Sequence, residues 1–228
     1  MRKLLLLIVC SSLCNTPILG RSSPRPLQTP NGSASLSQAQ DAQWMRAFVG
    51  KDSSELTNDP RFTAFNLSVF GLTPLPFTTE RFPDAIESYL GPPEPVKLVE
   101  DRYIVLSSCA PDFCVEKVFL WIDSKDSSRS IAAIVTVGAK LTSGARDAQG
   151  DNSNVHLWLV SRLTEAELIN DAPYLTTLHA WLMTEVDPAL AGRSNEGRQV
   201  NAFTLIKSPS GGTTELASSL FNPASIPK

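Results

Sequence analysis

Cys109 and Cys114 bracket four residues in the stretch SSCAPDFCVEKVFLWID, residues 107–123. A pair at that spacing can ligate a metal, exchange electrons or close a disulfide. A zinc site needs two more ligands, and the chain offers only His156 and His179 to complete the set. Those histidines are far apart in sequence. His156 lies in an apolar, strand-like run, where a core histidine satisfied by a neighbour is expected. His179 lies on a helical segment near its surface or hinge. Redox dithiols usually occur as C-x-x-C at a helix N-terminus, which stabilises the thiolate. Here four residues intervene and both flanks read as strands. The disulfide remains, and its case rests on where the chain goes.

The first residues are MRKLLLLIVCSSLCNTPILGRSS. Arg2 and Lys3 make a basic start, and Leu4 to Leu13 is an apolar core broken only by Ser11 and Ser12. That is too short to span a bilayer and has the order of a secretory signal, with Gly20 as one cleavage point and Cys14 as its competitor. Removal of residues 1–20 takes Cys10 and Cys14 with it. Cys109 and Cys114 are then alone, and two nearby cysteines in an exported chain most simply form one disulfide. The charge falls from −3 to −5, with 18 basic against 23 acidic residues. A mildly acidic domain argues against nucleic acid and anionic membrane surfaces as partners. No second apolar run is long enough for a membrane span.

Recognisable catalytic signatures are absent: there is no G-x-S-x-G elbow, no Walker loop and no H-E-x-x-H. Carboxylates are plentiful, yet nothing in one sequence pairs two of them across a cleft as glycosidase chemistry requires. The expectation is a protein that is not an enzyme and carries no cofactor and no metal.

The elements around the cysteines follow from patterning. Residues 21–36 are rich in Pro, Ser and Gly and read as a flexible linker. Ser37 and Gln40 fit a capping box for a helix that presents Ala42, Met45, Phe48 and Val49 and stops at Gly50. Asp59 and Pro60 head a second helix, with Phe62, Phe65 and Val69 on one face and Gly71 as its stop. A short helix is expected from Asp84 to Leu90 in a proline-rich region. The period then changes. VKLVEDRYIVLSS reads as two strands around a turn at Glu100-Asp101. EKVFLWID, SIAAIVTVGA and NVHLWLVS are further strands, with the polar loop KLTSGARDAQGDNS between the last two. Strand after strand with short joints predicts an α+β fold, an antiparallel meander packed by helices. Thr164 and Asp171 head two helices, the second carrying Leu175, Leu178, Leu182 and Val186. Residues 187–228 read as a C-terminal extension, partly disordered, with one strand candidate at Val200 to Ile206.

A disulfide across CAPDFC closes a ring worth about 2 kcal/mol on the loop-entropy model, and Pro111 fixes a further φ angle. The stapled hairpin either presents a rigid binding loop, which loses little entropy on docking, or only stabilises the sheet. Spacing alone does not choose between them.

PVKLVEDRYIVLSSCAPDFCVEKVFLWID resembles the central segment of the Ivy family, the periplasmic inhibitors of vertebrate-type lysozyme. Pro95, Tyr103, Cys109, Pro111, Cys114 and the strand to Asp123 stand where that family has a proline, a tyrosine strand, a C-K-P-H-x-C loop and a hydrophobic strand. The resemblance extends over roughly residues 40 to 185, giving an Ivy-like domain of residues 37–186. It implies a periplasmic or secreted protein, an antiparallel sheet packed by helices, and a loop of Ala110, Pro111, Asp112 and Phe113 that enters a lysozyme's active-site cleft. The implied partner is a lysozyme or another peptidoglycan hydrolase, and the resemblance permits a homodimer. The loop departs from the family at two places. Ala110 replaces the lysine, and Asp112 stands where a histidine would meet the catalytic carboxyls. An aspartate there meets like charge in a desolvated site. Phe113 is either an apolar anchor for the partner or packs back on its own domain.

Overall fold

The computed structural model describes residues 41–111, 113–138, 155–191 and 200–221, with the backbone alone for Phe113. The signal at 1–20, the linker at 21–36, the Ser37 capping box and the loop after Gly138 lie outside them. No helix among the described residues is long and apolar enough to cross a membrane.

Seven strands form one sheet in chain order: β1 (Lys97–Val99), β2 (Tyr103–Ala110), β3 (Phe113–Asp123), β4 (Ile131–Val137), β5 (Val155–Ser161), β6 (Ala202–Lys207) and β7 (Gly212–Glu215). β1 to β5 pair antiparallel, each with the next. The sheet is nevertheless mixed, because β6 lies parallel to β5, and β7 then returns antiparallel. A parallel neighbour needs a long crossover, and the helices after β5 supply it. Residues beyond 186 are therefore not only an extension. Ala202–Lys207 is an integral strand, with Phe203, Leu205 and Ile206 buried.

The strands are apolar on both sides because both faces are covered. Ile104, Leu106, Leu120, Ile122, Ile134 and Trp158 face one layer, made by the 3-10 helix Gln43–Phe48, α1 (Ser53–Thr57), α2 (Pro60–Phe70) and α3 (Phe82–Tyr89). Val105, Phe119, Trp121, Ala133 and Leu159 face the other layer, made by α4 (Glu165–Ile169), α5 (Ala172–Trp181) and the helical segment that continues α5 to Ala191. The fold class is α+β.

Local chemistry sets these elements where it was expected. Asp59 accepts a hydrogen bond from the Arg61 amide, Pro60 opens α2, and Gly71 ends it at φ 62°. Thr164 and Glu167 form a reciprocal capping box on α4. Asp171 caps α5 through the Tyr174 amide at 3.2 Å. Glu100 and Asp101 both sit at positive φ, near 50°, in the tight turn between β1 and β2. Arg46 steadies that turn by donating to the Asp101 carbonyl at 2.8 Å and pairing with its carboxylate. Helix α5 continues through a π-turn, Leu182–Val186, into α6 (Asp187–Ala191). Pro188 has no N–H for the Thr184 carbonyl, and the helix widens in the turn before it.

Candidate functional site

The β2–β3 hairpin carries the expected disulfide, Cys109–Cys114, with Cα atoms 4.8 Å apart. The two strands leave register there. Cys109 lies opposite Lys117, while Ala110 lies opposite Phe113. Cys114, Val115 and Glu116 are thus extra residues on β3, a large bulge at the hairpin's end, and the disulfide staples it. The bulge is anchored at both later positions. Val115 is buried, and the Glu116 carboxylate accepts from the Val137 amide of β4 at 3.2 Å. Burial raises the Glu116 carboxyl above its usual range.

The four loop residues fare differently. Ala110 is half-buried against the α1–α3 layer, and Pro111 is exposed. Phe113 is the first residue of β3, and Pro111 follows Ala110, the last residue of β2. Asp112 and the Phe113 side chain lie outside the described residues. Cys109 is buried and Cys114 is exposed.

Two supports hold the hairpin's base. On one face, the segment after α3 runs along β2. The Gly91 amide donates to the Cys109 carbonyl at 3.0 Å, and the Ser108 hydroxyl donates to the Pro92 carbonyl at 3.0 Å. A β-carbon on Gly91 would overlap that carbonyl and stand 2.9 Å from the Pro111 nitrogen. Glycine is needed here for close approach, not for its φ.

On the opposite face, Ser107 is the centre of a buried polar cluster. Its hydroxyl donates to the Glu185 carboxylate at 2.5 Å and accepts from the Trp181 indole N–H at 2.9 Å. Lys97 reaches the other Glu185 oxygen at 3.6 Å. Glu94 also faces this group. Burial, and then the charge of Glu185, raise its carboxyl, while Lys117, Lys97 and Ser107 oppose the rise. Lys117, opposite Cys109, is itself buried. The π-turn thus presents Glu185 to β2 and ties the helix layer to the hairpin beside the disulfide. Sequence reasoning missed Gly91, Glu94, Ser107, Lys117 and Glu185. Ser107 and Glu185 are 78 positions apart, and only the proline run after Gly91 marked that segment as unusual.

The structure does not bring the zinc candidates together. Both cysteine sulfurs are bound to each other. His156 is on β5 among residues of the α1–α3 face, whereas His179 is on α5, which covers the other face. The His156 ring stacks on Trp158, with centroids 3.6 Å apart, and its Nε2 meets the Thr204 hydroxyl at 2.8 Å. Burial lowers its pKa to about 4. Among the described residues, no three His, Cys, Asp or Glu side chains gather as a metal-ligand set.

Comparison with known proteins adds no relative: no family model, no curated protein and no solved structure matches the chain.

Proposed function

We propose that the mature chain is an exported, non-enzymatic protein that binds a lysozyme or another peptidoglycan hydrolase through the hairpin end at Cys109–Cys114. The reading rests on one observation. A disulfide closes a bulged hairpin whose base is held on both faces, while Pro111 and Cys114 at its end are exposed. A projection ordered before contact loses little entropy on docking, and an exposed hairpin end suits entry into a cleft. The disulfide also fits an oxidising compartment, as the signal-like N-terminus does. The resemblance to the Ivy family at these cysteines supplies the class of partner.

The chemistry of the tip favours a second reading as well. Ala110 and Asp112 replace the lysine and histidine of the resembling loop. An ionised Asp112 beside two catalytic carboxyls would be repelled unless a proton were shared. The hairpin is then either directed at an enzyme of different cleft chemistry or retained as a diverged scaffold with a structural or envelope-interaction role. The test is an inhibition assay with the purified mature protein against several lysozyme types, with and without reductant, together with capture of peptidoglycan hydrolases on the immobilised protein. Inhibition that reductant abolishes supports the first reading. The absence of both inhibition and capture sinks it. Gain of inhibition of vertebrate-type lysozyme by Asp112→His would show an intact scaffold with a changed tip.

A further inference from the structure

The stapled end is not the only concave or charged place in the fold. At the opposite end of the sheet, the turn after β3 and the 3-10 helix Ser127–Arg129 border a cleft of about 250 Å³. Ser68 and Val69 of α2 and Arg162, just past β5, complete its wall with Lys125, Asp126, Ser127 and Ser128.

The charges there are not balanced by pairing. Neither Lys125 nor Arg162 takes part in an ion pair among the described residues, whose pairs use Arg46, Lys51, Arg61, Lys97, Arg102 and Arg129. Arg162 is held in place. Its Nη2 donates to the Ser68 carbonyl at 2.5 Å, and the Lys207 ammonium donates to its own carbonyl. Its Nε is enclosed and has no partner. Ser127 is only 8% exposed, yet it lines the cleft and its hydroxyl makes no hydrogen bond among the described residues. The one carboxylate on the wall, Asp126, is engaged by Ser128, accepting from its amide at 3.2 Å and its hydroxyl at 2.6 Å.

We propose that this cleft binds a small phosphate-bearing anion, with Lys125 and Arg162 countering its charge and the Ser127 hydroxyl donating to a phosphate oxygen. The geometry favours a tetrahedral oxyanion over a carboxylate. Arg162 cannot offer its Nε–Nη2 edge as a bidentate fork, because Nη2 is committed to Ser68 and Nε is enclosed. Lys125, Arg162 and Ser127 line the cleft as separate donors, which suits a group with several equivalent oxygens. The volume lies below the roughly 300–1,000 Å³ of drug-sized pockets, so the ligand is a phosphate with little attached, or a headgroup whose remainder stays outside.

The proposal is independent of any lysozyme binding. It is tested by calorimetric titration of the mature protein with inorganic phosphate and with glycerol 3-phosphate at low ionic strength, where screening is weak. Saturable binding is expected, weakened about tenfold by Lys125→Ala, the scale on which one charge-assisted contact acts. Ser127→Ala should weaken it as well, with the thermal melt of each variant recorded alongside. The Lys125 side chain is exposed and in no described ion pair, and its amide bond to Asp123 survives the change, so its variant keeps the fold. No saturable binding, or binding undiminished in both variants, overturns the proposal. Vesicles of phosphatidylcholine with phosphatidic acid form the third arm. Vesicle binding lost in the same variants assigns the phosphate to a lipid headgroup, and binding of glycerol 3-phosphate alone assigns it to a free ester.

Discussion

Gly91→Ala probes how the stapled hairpin is held. Alanine suits the backbone at this position, since Gly91 is not among the residues with positive φ. The effect is steric. The added methyl would overlap the Cys109 carbonyl and approach the Pro111 nitrogen to 2.9 Å and its Cδ to 3.1 Å. Two of those three atoms are backbone, so no side-chain rotation relieves the clash. Forcing a methyl into a packed site costs about 1–3 kcal/mol. The 3.0 Å bond from Gly91 to Cys109 would be lost with the displacement, adding about 1 kcal/mol. The expected loss is roughly 2–4 kcal/mol in urea unfolding of the oxidised protein, read as a lower midpoint at unchanged slope. Gly50→Ala is the internal control. Gly50 has φ 81° with nothing within 4 Å of the new β-carbon, so only backbone strain of about 1–2 kcal/mol applies. The two variants also separate on a second measurement. Reduction of the disulfide by dithiothreitol should quicken in Gly91→Ala and stay at the wild-type rate in Gly50→Ala. If Gly91→Ala unfolds within about 0.5 kcal/mol of wild type and its disulfide reduces at the wild-type rate, the segment after α3 does not hold the hairpin.

Arg102→Met should destabilise the protein by about 3–5 kcal/mol at neutral pH, because it strands a buried charge. Asp123 is fully buried, and Arg102 meets both its oxygens at 2.9 and 2.5 Å. Burial alone would raise the Asp123 carboxyl, but Arg102 and the Lys125 and Asp126 amides outweigh it and hold it low. In the wild type that stability is present above the usual aspartate value and falls as pH drops through the folded value. Arg102→Met should lose this acid-side dependence, which urea titrations at stepped pH would show. Glu94 has the opposite sign. Burial and Glu185 raise it, so the folded state binds its proton more tightly and loses stability as pH rises through the window above the usual glutamate value. Glu94→Gln should flatten that decline. His156 is held neutral, its pKa lowered by burial to about 4. Its contribution is intact above the unfolded value near 6.5 and is lost as pH falls toward 4. NMR titration of the ring gives the folded value, and His156→Phe should remove this part of the slope.

Helix starts and strand runs were readable because their causes are local. Asp59-Pro60, Thr164 with Glu167, and Asp171 each place a cap within three residues of the amide it caps. The Glu100-Asp101 turn, the four strands from β2 to β5 and the disulfide were readable for the same reason. The parallel pairing of β6 was not. Antiparallel neighbours announce themselves by short joints, whereas β6 reaches β5 only after the whole helical crossover. The apolar run at Val200 to Ile206 signalled a strand without saying which neighbour it would join. The supports of the site were hidden by distance along the chain. Nothing local marks Glu185, because only the π-turn before Pro188 aims it at Ser107. Gly91 looked like one more turn residue in a proline-rich stretch, because its need for close approach depends on a carbonyl 18 positions later.

These supports bear on how the tip can change. The bonds that fix the hairpin's base run from the Gly91 amide to the Cys109 carbonyl, from the Ser108 hydroxyl to the Pro92 carbonyl, from the Ser107 hydroxyl to Glu185, and from the Val137 amide to Glu116. Among the described residues, none of them uses a side chain of the turn. Pro111 stands outside both strands, and Cys114, Val115 and Glu116 have no partner on β2. The disulfide, Gly91 and the Ser107 cluster therefore cannot vary freely without disturbing the hairpin's base. A braced bulge, the Ser107–Glu185 bond and a disulfide at the same end of one hairpin fix that end before any contact, which is the order the proposed binding would use.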